Sequence, residues 1–260
     1  MLLPELKEQL KMPRGFPRGV CCLAETVNLH GTSPWHPTFV QVMQRTAVQA
    51  VIFDFDYTLA DSSQGAIECI GFALREMGLD QVSAEAACRT IGLSLSETFL
   101  ALSEHHEPHR CDEFHRLFVQ RAEQVMAKLT VLYDSVPATI ESLCERGLKL
   151  GIVSTKYRRR INEVLEREAL LHGFDVVVGG EDVKEHKPHP QGLFEAMKKL
   201  ECSPSSVMYV GDSVVDAELA KRAGVPMIVV LSGTTPKEHF AGYKPIAMLE
   251  DISQLPEFLL

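Results

Sequence analysis

Three carboxylates crowd one short stretch of the chain. In "VIFDFDYTLADS", residues 51–62, Asp54, Asp56 and Asp61 follow directly on the apolar run Val51, Ile52 and Phe53. Such a run reads as a buried strand, and buried charge is costly unless it is paired or bound to a metal. Other apolar runs also end on polar groups. "LGIVST" delivers Ser154 and Thr155, the loop around "HKPHP" carries Lys187, and "VMYVGD" delivers Asp212 with Asp216 one helical turn on. Carboxylates, a hydroxyl and an ammonium suit one task. Carboxylate oxygens gather a hard divalent cation, and Mg²⁺ prefers oxygen ligands while keeping several waters. The cation, Lys187 and Ser154 together would hold a phosphate and neutralise its charge. Asp54 would then attack phosphorus and form an aspartyl-phosphate, with the metal shared between Asp54 and Asp212. Asp56 would donate a proton to the leaving oxygen and later take one from water.

These groups meet only if one scaffold brings the strand ends together. From residue 136 onward, short apolar runs alternate with helical patterns. "PATIESLCERG" is a helix with Pro137 near its start and Gly147 at its end. The strands "LKLGIVS", "FDVVVGG", "SVMYVGD" and "PMIVVLS" are separated by the helices "RRRINEVLEREAL", "PQGLFEAMKKL" and "DAELAKRAG". That alternation predicts an α/β fold, a parallel sheet covered on both faces, which the strand at 50–54 joins. In open parallel sheets, ligands bind at the carboxyl ends of the strands.

Between residues 63 and 135 the period is helical and no strand is expected. Ala66, Ile70, Ala73, Leu74 and Met77 share one face; Phe114, Leu117, Phe118, Val125 and Leu129 share another. A helical stretch over about 83–103 is interrupted near "IGLSLSE". Residues 1–46 carry five prolines, the single Trp35 and no sustained periodicity, so they read as an irregular N-terminal extension. Residues 1–42 are expected to be dispensable, with Met43 a natural start for the compact domain.

The formal net charge of −9 argues against a general nucleic-acid binder, but not against an anionic substrate, because a local cation overrides net charge. No apolar run reaches membrane-helix length, and the N-terminus does not read as a signal peptide. Seven cysteines form no C-x-x-C pair, which suits reduced thiols and a cytoplasmic location.

"DFDYT" fits the D-x-D-x-T signature of the haloacid dehalogenase-like phosphohydrolases, and "IVST", "HKPHP" and "YVGDSVVD" fit their later motifs in order. Over about residues 47–255 the chain resembles that family, in particular its phosphoglycolate phosphatase-like branch. The resemblance implies a Rossmann-like three-layer core from residues 47–62 and 136–260, with residues 63–135 as an all-helical cap. It implies Asp54 as nucleophile and metal ligand, and Asp56 as acid/base that also ligates metal through its backbone carbonyl. Thr58 would orient the loop, Ser154 and Lys187 would bind the phosphoryl group, and Asp212 would ligate metal. Asp216 would hold a metal-bound water or Lys187. The family pattern often has Gly where Tyr57 stands.

Several residues admit a plainer reading. Thr155 and Lys156 either add backbone N–H groups to the phosphate cradle or start the next helix. The basic run "KYRRR", residues 156–160, reads as a solvated helix start. His105, His106, His109 and His115 read as solvated cap residues, and Asp61 as a solvated or capping one. His189, between two prolines, is a candidate substrate contact. Ser94, Ser96 and Glu97 beside Gly92 either contact the leaving group or mark a helix break. The expected substrate is a small phosphorylated metabolite, phosphoglycolate first, with pyrophosphate, nucleotides and sugar phosphates as alternatives, acted on by a monomer or homodimer. A sugar phosphomutase would share the core motifs, but no His-Thr…Lys arrangement appears in residues 63–100. A receiver-like phosphoacceptor or binding module would lack both the large helical insert and the aspartate two residues after the acceptor.

Overall fold

The computed structural model describes residues 48–103 and 108–259. The N-terminal extension, His105 and His106 lie outside the described residues.

Ala50–Phe53 (β1) is buried at every position, so it needs cover on both faces and a partner on both edges. Ala60–Asp61 (β2) follows, then the helical block: Ser63–Glu76 (α1), Ala84–Cys88 (α2), Leu95–Leu102 (α3) and Cys111–Leu129 (α4). Val131–Leu132 (β3) and Val136–Glu145 (α5) lead into the alternating half. This comprises Lys149–Val153 (β4), Arg158–Arg167 (α6), Val176–Val178 (β5), Gln191–Leu200 (α7), Val207–Gly211 (β6), Val214–Ala223 (α8) and Met227–Val230 (β7). Ala247–Leu249 (β8) and Leu255–Phe258 (α9) complete the described elements.

The sheet order is β5-β4-β1-β6-β7-β8, with every pair parallel. Side chains alternate across it with period two. Val51 and Phe53 face a core completed by Ile140, Leu143, Ile161 and Leu165 of α5 and α6. Ala50 and Ile52 face the opposite core, closed by Leu193, Met197 and Leu219 of α7 and α8. The result is the expected three-layer α/β core. Phe53 pairs with Ile152 on one side and Val210 on the other. Asp54 therefore emerges at the carboxyl edge between the ends of β4 and β6.

Three strands, β2, β3 and β8, were not expected from the sequence. β8 is a three-residue edge strand, half-buried throughout and without a long apolar run to announce it. β3 falls within the span read as wholly helical and pairs antiparallel with β2, Ala60 opposite Leu132 and Asp61 opposite Val131. Two residues carry no periodic signal. Their place is structural: they tie together the two chain segments that lead into and out of the helical block.

Within that block, Ile70, Leu74, Phe99, Phe114 and Phe118 form the core. The Phe99 and Phe114 rings stack at 5.1 Å. The α1 face is the one expected. On α4 the inner line continues from Phe118 through Ala122 and Met126, leaving Val125 packed only at its margin.

Candidate active site

The backbone N–H of Asp54 still joins the ladder, donating to Val210 O at 2.8 Å, so the strand fixes this residue. The residue is 3% exposed. Oδ1 accepts from the Phe55 N–H and from Lys187 Nζ, each at 2.7 Å. Burial pushes the Asp54 carboxyl up, Asp216 and Asp56 add to this, and Lys187 opposes it, leaving a pKa of about 7.

Lys187 also reaches Asp216 Oδ1 at 2.8 Å. Burial alone would lower its pKa, but the Asp216 and Asp54 carboxylates outweigh that and hold it above the ordinary lysine value. Asp216 is fully buried and well supplied with donors. Tyr209 Oη donates at 2.8 Å, Ser213 Oγ at 2.5 Å and the Ser213 N–H at 3.2 Å. The Ser213 N–H bond and the return bond from the Asp216 N–H to Ser213 Oγ at 3.2 Å form the capping box of α8, so one carboxylate caps the helix and anchors the lysine.

Asp212 lies at the end of β6, its Oδ1 accepting from Thr58 Oγ1 at 3.3 Å. Burial, then Asp216 and Asp54, raise its pKa well above the usual carboxylate range, against Lys187 and Thr58. On its other side runs the backbone of Gly233, just past β7. A Cβ there would stand 1.9 Å from Asp212 Oδ2.

One oxygen from each of Asp54, Asp212 and Asp216 falls within a 4.8 Å cluster. The donors are all oxygen, and two of the carboxylates are disfavoured as anions so close together. That chemistry fits a hard divalent cation. Because Asp216 is already saturated by donors, Asp54 and Asp212 are the side chains that would hold it.

The loop from Asp54 to Ser62 holds its own shape. Tyr57 donates its N–H to Ala60 O, and its carbonyl accepts from Ser232 Oγ at 2.5 Å. Tyr57 has φ 60, in the left-handed region where a side chain costs roughly 1 kcal/mol or more. This accounts for glycine at the equivalent place in the family pattern. Here the ring offsets the strain by burial, and burial followed by the neighbouring Cys88 thiol of the helical block pushes its hydroxyl pKa up. Asp61 accepts from the Ser63 N–H at 2.8 Å and thus caps the start of α1.

Asp56 is held apart from Asp54. Its Oδ1 accepts from Ser62 Oγ and from Lys156 Nζ, each at 2.7 Å. Lys156 is 9% exposed and Arg160 5%, so the reading of residues 156–160 as a solvated helix start is corrected at both positions. The apolar period of α6 turns Arg160 inward with Ile161, and the ion pair draws Lys156 down beside β1. A lysine two residues after a strand-end hydroxyl was the available signal for this contact. Ser154 accepts from the Lys156 N–H at 3.3 Å, while the Thr155 hydroxyl donates to Gly92 O of the helical block at 3.4 Å.

Asp56, Ser62, Lys156 and Arg160 line a chamber of about 310 Å³, roofed by Ile91, Gly92 and Phe118 of the helical block. Ser94 and Glu97 satisfy each other in a capping box at the start of α3, and Ser94 and Ser96 also line the chamber. His189 accepts from the Gln191 N–H at the start of α7, and His109 is solvent-exposed. His115 meets Tyr157 Oη at 3.2 Å.

A doubly wound parallel sheet with a helical insert after its first central strand, and with paired aspartates at that strand's end, defines a phosphohydrolase-type scaffold. The sequence profile of haloacid dehalogenase-like hydrolases matches residues 51–230, and the chain belongs to that family. It is an enzyme, a hydrolase of the phosphatase kind. It is 33% identical over 215 residues to pyrophosphatase PpaX of Anoxybacillus flavithermus, across 82% of this chain and 97% of that protein. Among solved structures it is similar to a haloacid dehalogenase-like hydrolase from Bacteroides fragilis, with 37% identity and a TM-score of 0.77 over 80% of this chain and 99% of that one. A protein described as a predicted phosphoglycolate phosphatase from Haemophilus somnus matches at 25% identity and a TM-score of 0.71, over 82% and 98% of the two chains. No helix among the described residues is long and apolar enough to cross a membrane.

Proposed function

We propose that the protein hydrolyses a small phosphomonoester of the phosphoglycolate type through an aspartyl-phosphate on Asp54, with Mg²⁺ as cofactor. The observation that carries this reading is the separate tethering of two neighbouring carboxylates. Asp54 is held by Lys187, while Asp56 is held by Lys156 and Ser62. Two roles need two environments.

Both donors to Asp54 converge on Oδ1, which leaves Oδ2 to attack phosphorus. The bond from phosphorus to the leaving oxygen breaks as the new bond forms, and Asp56 gives that oxygen its proton. Asp56 then takes a proton from water, whose oxygen attacks the aspartyl-phosphate, freeing phosphate and restoring Asp54. Lys187 and Ser154, with Thr155 beside them, bind the phosphoryl oxygens throughout. Asp216 keeps Lys187 aimed, and Thr58 keeps Asp212 in place. A Mg²⁺ ion held by Asp54, Asp212 and the Asp56 carbonyl would supply charge neutralisation. The 310 Å³ chamber is at the small end of ligand pockets, which suits a small metabolite.

The similarity to pyrophosphatase PpaX favours a second reading, with inorganic pyrophosphate as substrate and the same residues in the same roles. We place the enzyme in the cytoplasm, as a monomer or homodimer acting on a free metabolite. Phosphate release from p-nitrophenyl phosphate, phosphoglycolate and pyrophosphate, with and without Mg²⁺, tests the reading. Asp54→Asn should lower turnover at least about a thousandfold on every substrate, as expected for loss of a nucleophile. Turnover retained by that variant would refute the covalent route.

A further inference from the structure

Arg160 is the least satisfied charged group in the chamber. It is 5% exposed, and its Nε has no hydrogen-bond partner among the described residues. Among the described residues its one hydrogen bond runs from Nη2 to Glu123 Oε1 at 2.6 Å. Glu123 also receives Arg159, so one carboxylate serves two guanidiniums. The guanidinium lies over the Tyr157 ring, 4.8 Å from its centroid, which fixes its plane without satisfying its donors. Burying a guanidinium with a donor unpaired is expensive, and burial pulls its pKa down. Among the chamber's other charges, Lys156 is matched by Asp56, and the exposed Glu181 is engaged by the Arg158 N–H at 2.8 Å. The chamber also contains Asp56, which the reading above makes the proton donor to the leaving oxygen. It is therefore where the leaving group must sit.

We propose that Arg160 reads a second anionic group on the substrate, so that preferred substrates carry an oxyanion, carboxylate or phosphate, on the leaving-group side. This rests on the phosphohydrolase reading and adds a specificity determinant to it. A planar guanidinium with free donors matches an oxyanion better than it matches a hydroxyl or a ring.

The test compares kcat/KM for phosphoglycolate and pyrophosphate with that for 2-hydroxyethyl phosphate, which has the size of phosphoglycolate without its carboxylate. The wild-type enzyme should prefer at least one of the anionic pair by tenfold or more. Arg160→Gln should reduce that preference by about tenfold to a hundredfold, chiefly through KM, as expected for losing a charge-assisted hydrogen bond. Arg160→Lys should give an intermediate ratio, and Arg159→Gln, at the exposed neighbour, an unchanged one. Whether phosphoglycolate or pyrophosphate loses more identifies the source of the oxyanion. A wild-type preference below twofold, or an equal loss on all three substrates in Arg160→Gln, overturns the inference and leaves Arg160 as a strut to α4. Should Arg160→Gln lack a cooperative thermal transition, the wild-type preference and the Arg160→Lys ratio decide in the same way. Failure of the wild-type enzyme to release phosphate from any substrate would instead refute the phosphohydrolase reading.

Discussion

Gly233→Ala is a one-carbon change that should disable the site while sparing the fold. The added Cβ would stand 1.9 Å from Asp212 Oδ2, 2.7 Å from its Cγ and 2.9 Å from its Cβ. Ordinary van der Waals contact begins near 3.4 Å, so the carboxylate oxygen must retreat by about 1.5 Å. The whole side chain is crowded, so a small torsion of the carboxylate alone does not relieve the clash. Retreat pulls Oδ1 from Thr58, already at 3.3 Å, and moves a proposed metal ligand. A misplacement of about 1 Å in such a site costs roughly a hundredfold in rate. We expect kcat/KM to fall at least about a hundredfold, and the Mg²⁺ concentration for half-maximal activity to rise about tenfold. Overpacking at one residue should cost about 1–3 kcal/mol of stability, a shift of several degrees in Tm. Steady-state assays over a Mg²⁺ titration, alongside thermal melts, measure both. Gly242→Ala, where a Cβ meets nothing within 4 Å among the described residues, is the matched control. Activity and Mg²⁺ dependence within twofold of wild type in Gly233→Ala would refute the placement of Asp212 in the machinery.

The titration of Asp54 gives a signed prediction. Its folded pKa is about 7 against an ordinary 3.8, so between about pH 4 and 7 the folded state binds more protons than the unfolded one. Its contribution to stability without cation therefore falls as pH rises through that window, and Asp54→Asn should flatten the slope in thermal melts. Divalent cation binding near pH 6 should release about one proton from this group, read by calorimetry in buffers of different ionisation enthalpy; no buffer dependence would count against a cation at Asp54. Lys156→Met should strand the Asp56 carboxylate, costing about 3 kcal/mol or more in chemical denaturation and at least tenfold in kcat. Wild-type stability in that variant would mean the ion pair contributes nothing.

The core was legible because its strands are buried on both faces and read as plain apolar runs. Val51–Phe53 and "LGIV" each announce a strand with a polar group one residue later, and "MYV" announces one with Asp212 two residues later. That grammar brings Asp54, Asp212 and Ser154 to one edge of the sheet. It fails where a residue's role is set by a neighbour far along the chain. Lys156 carries the same charge as the arginines after it, and only the folded structure reveals that its partner is Asp56, a hundred positions earlier. Gly233 looks like a turn glycine until the Asp212 carboxylate is seen against its backbone. The side chain of Tyr57 gives no signal of its role, because its peculiarity is in the backbone, at φ 60. β3 and β8 are too short for periodicity to register.

The β2–β3 ribbon carries an evolutionary corollary. By pairing Ala60 with Leu132 and Asp61 with Val131, it pinches the way into the helical insert against the way out. The sheet therefore meets the insert as a loop whose ends are already closed. Doubling the length of such a loop adds only about 0.6 kcal/mol of closure entropy. Descendants of this chain can lengthen, trim or replace the insert, and so retune what the chamber admits, with little disturbance to the strand that carries Asp54.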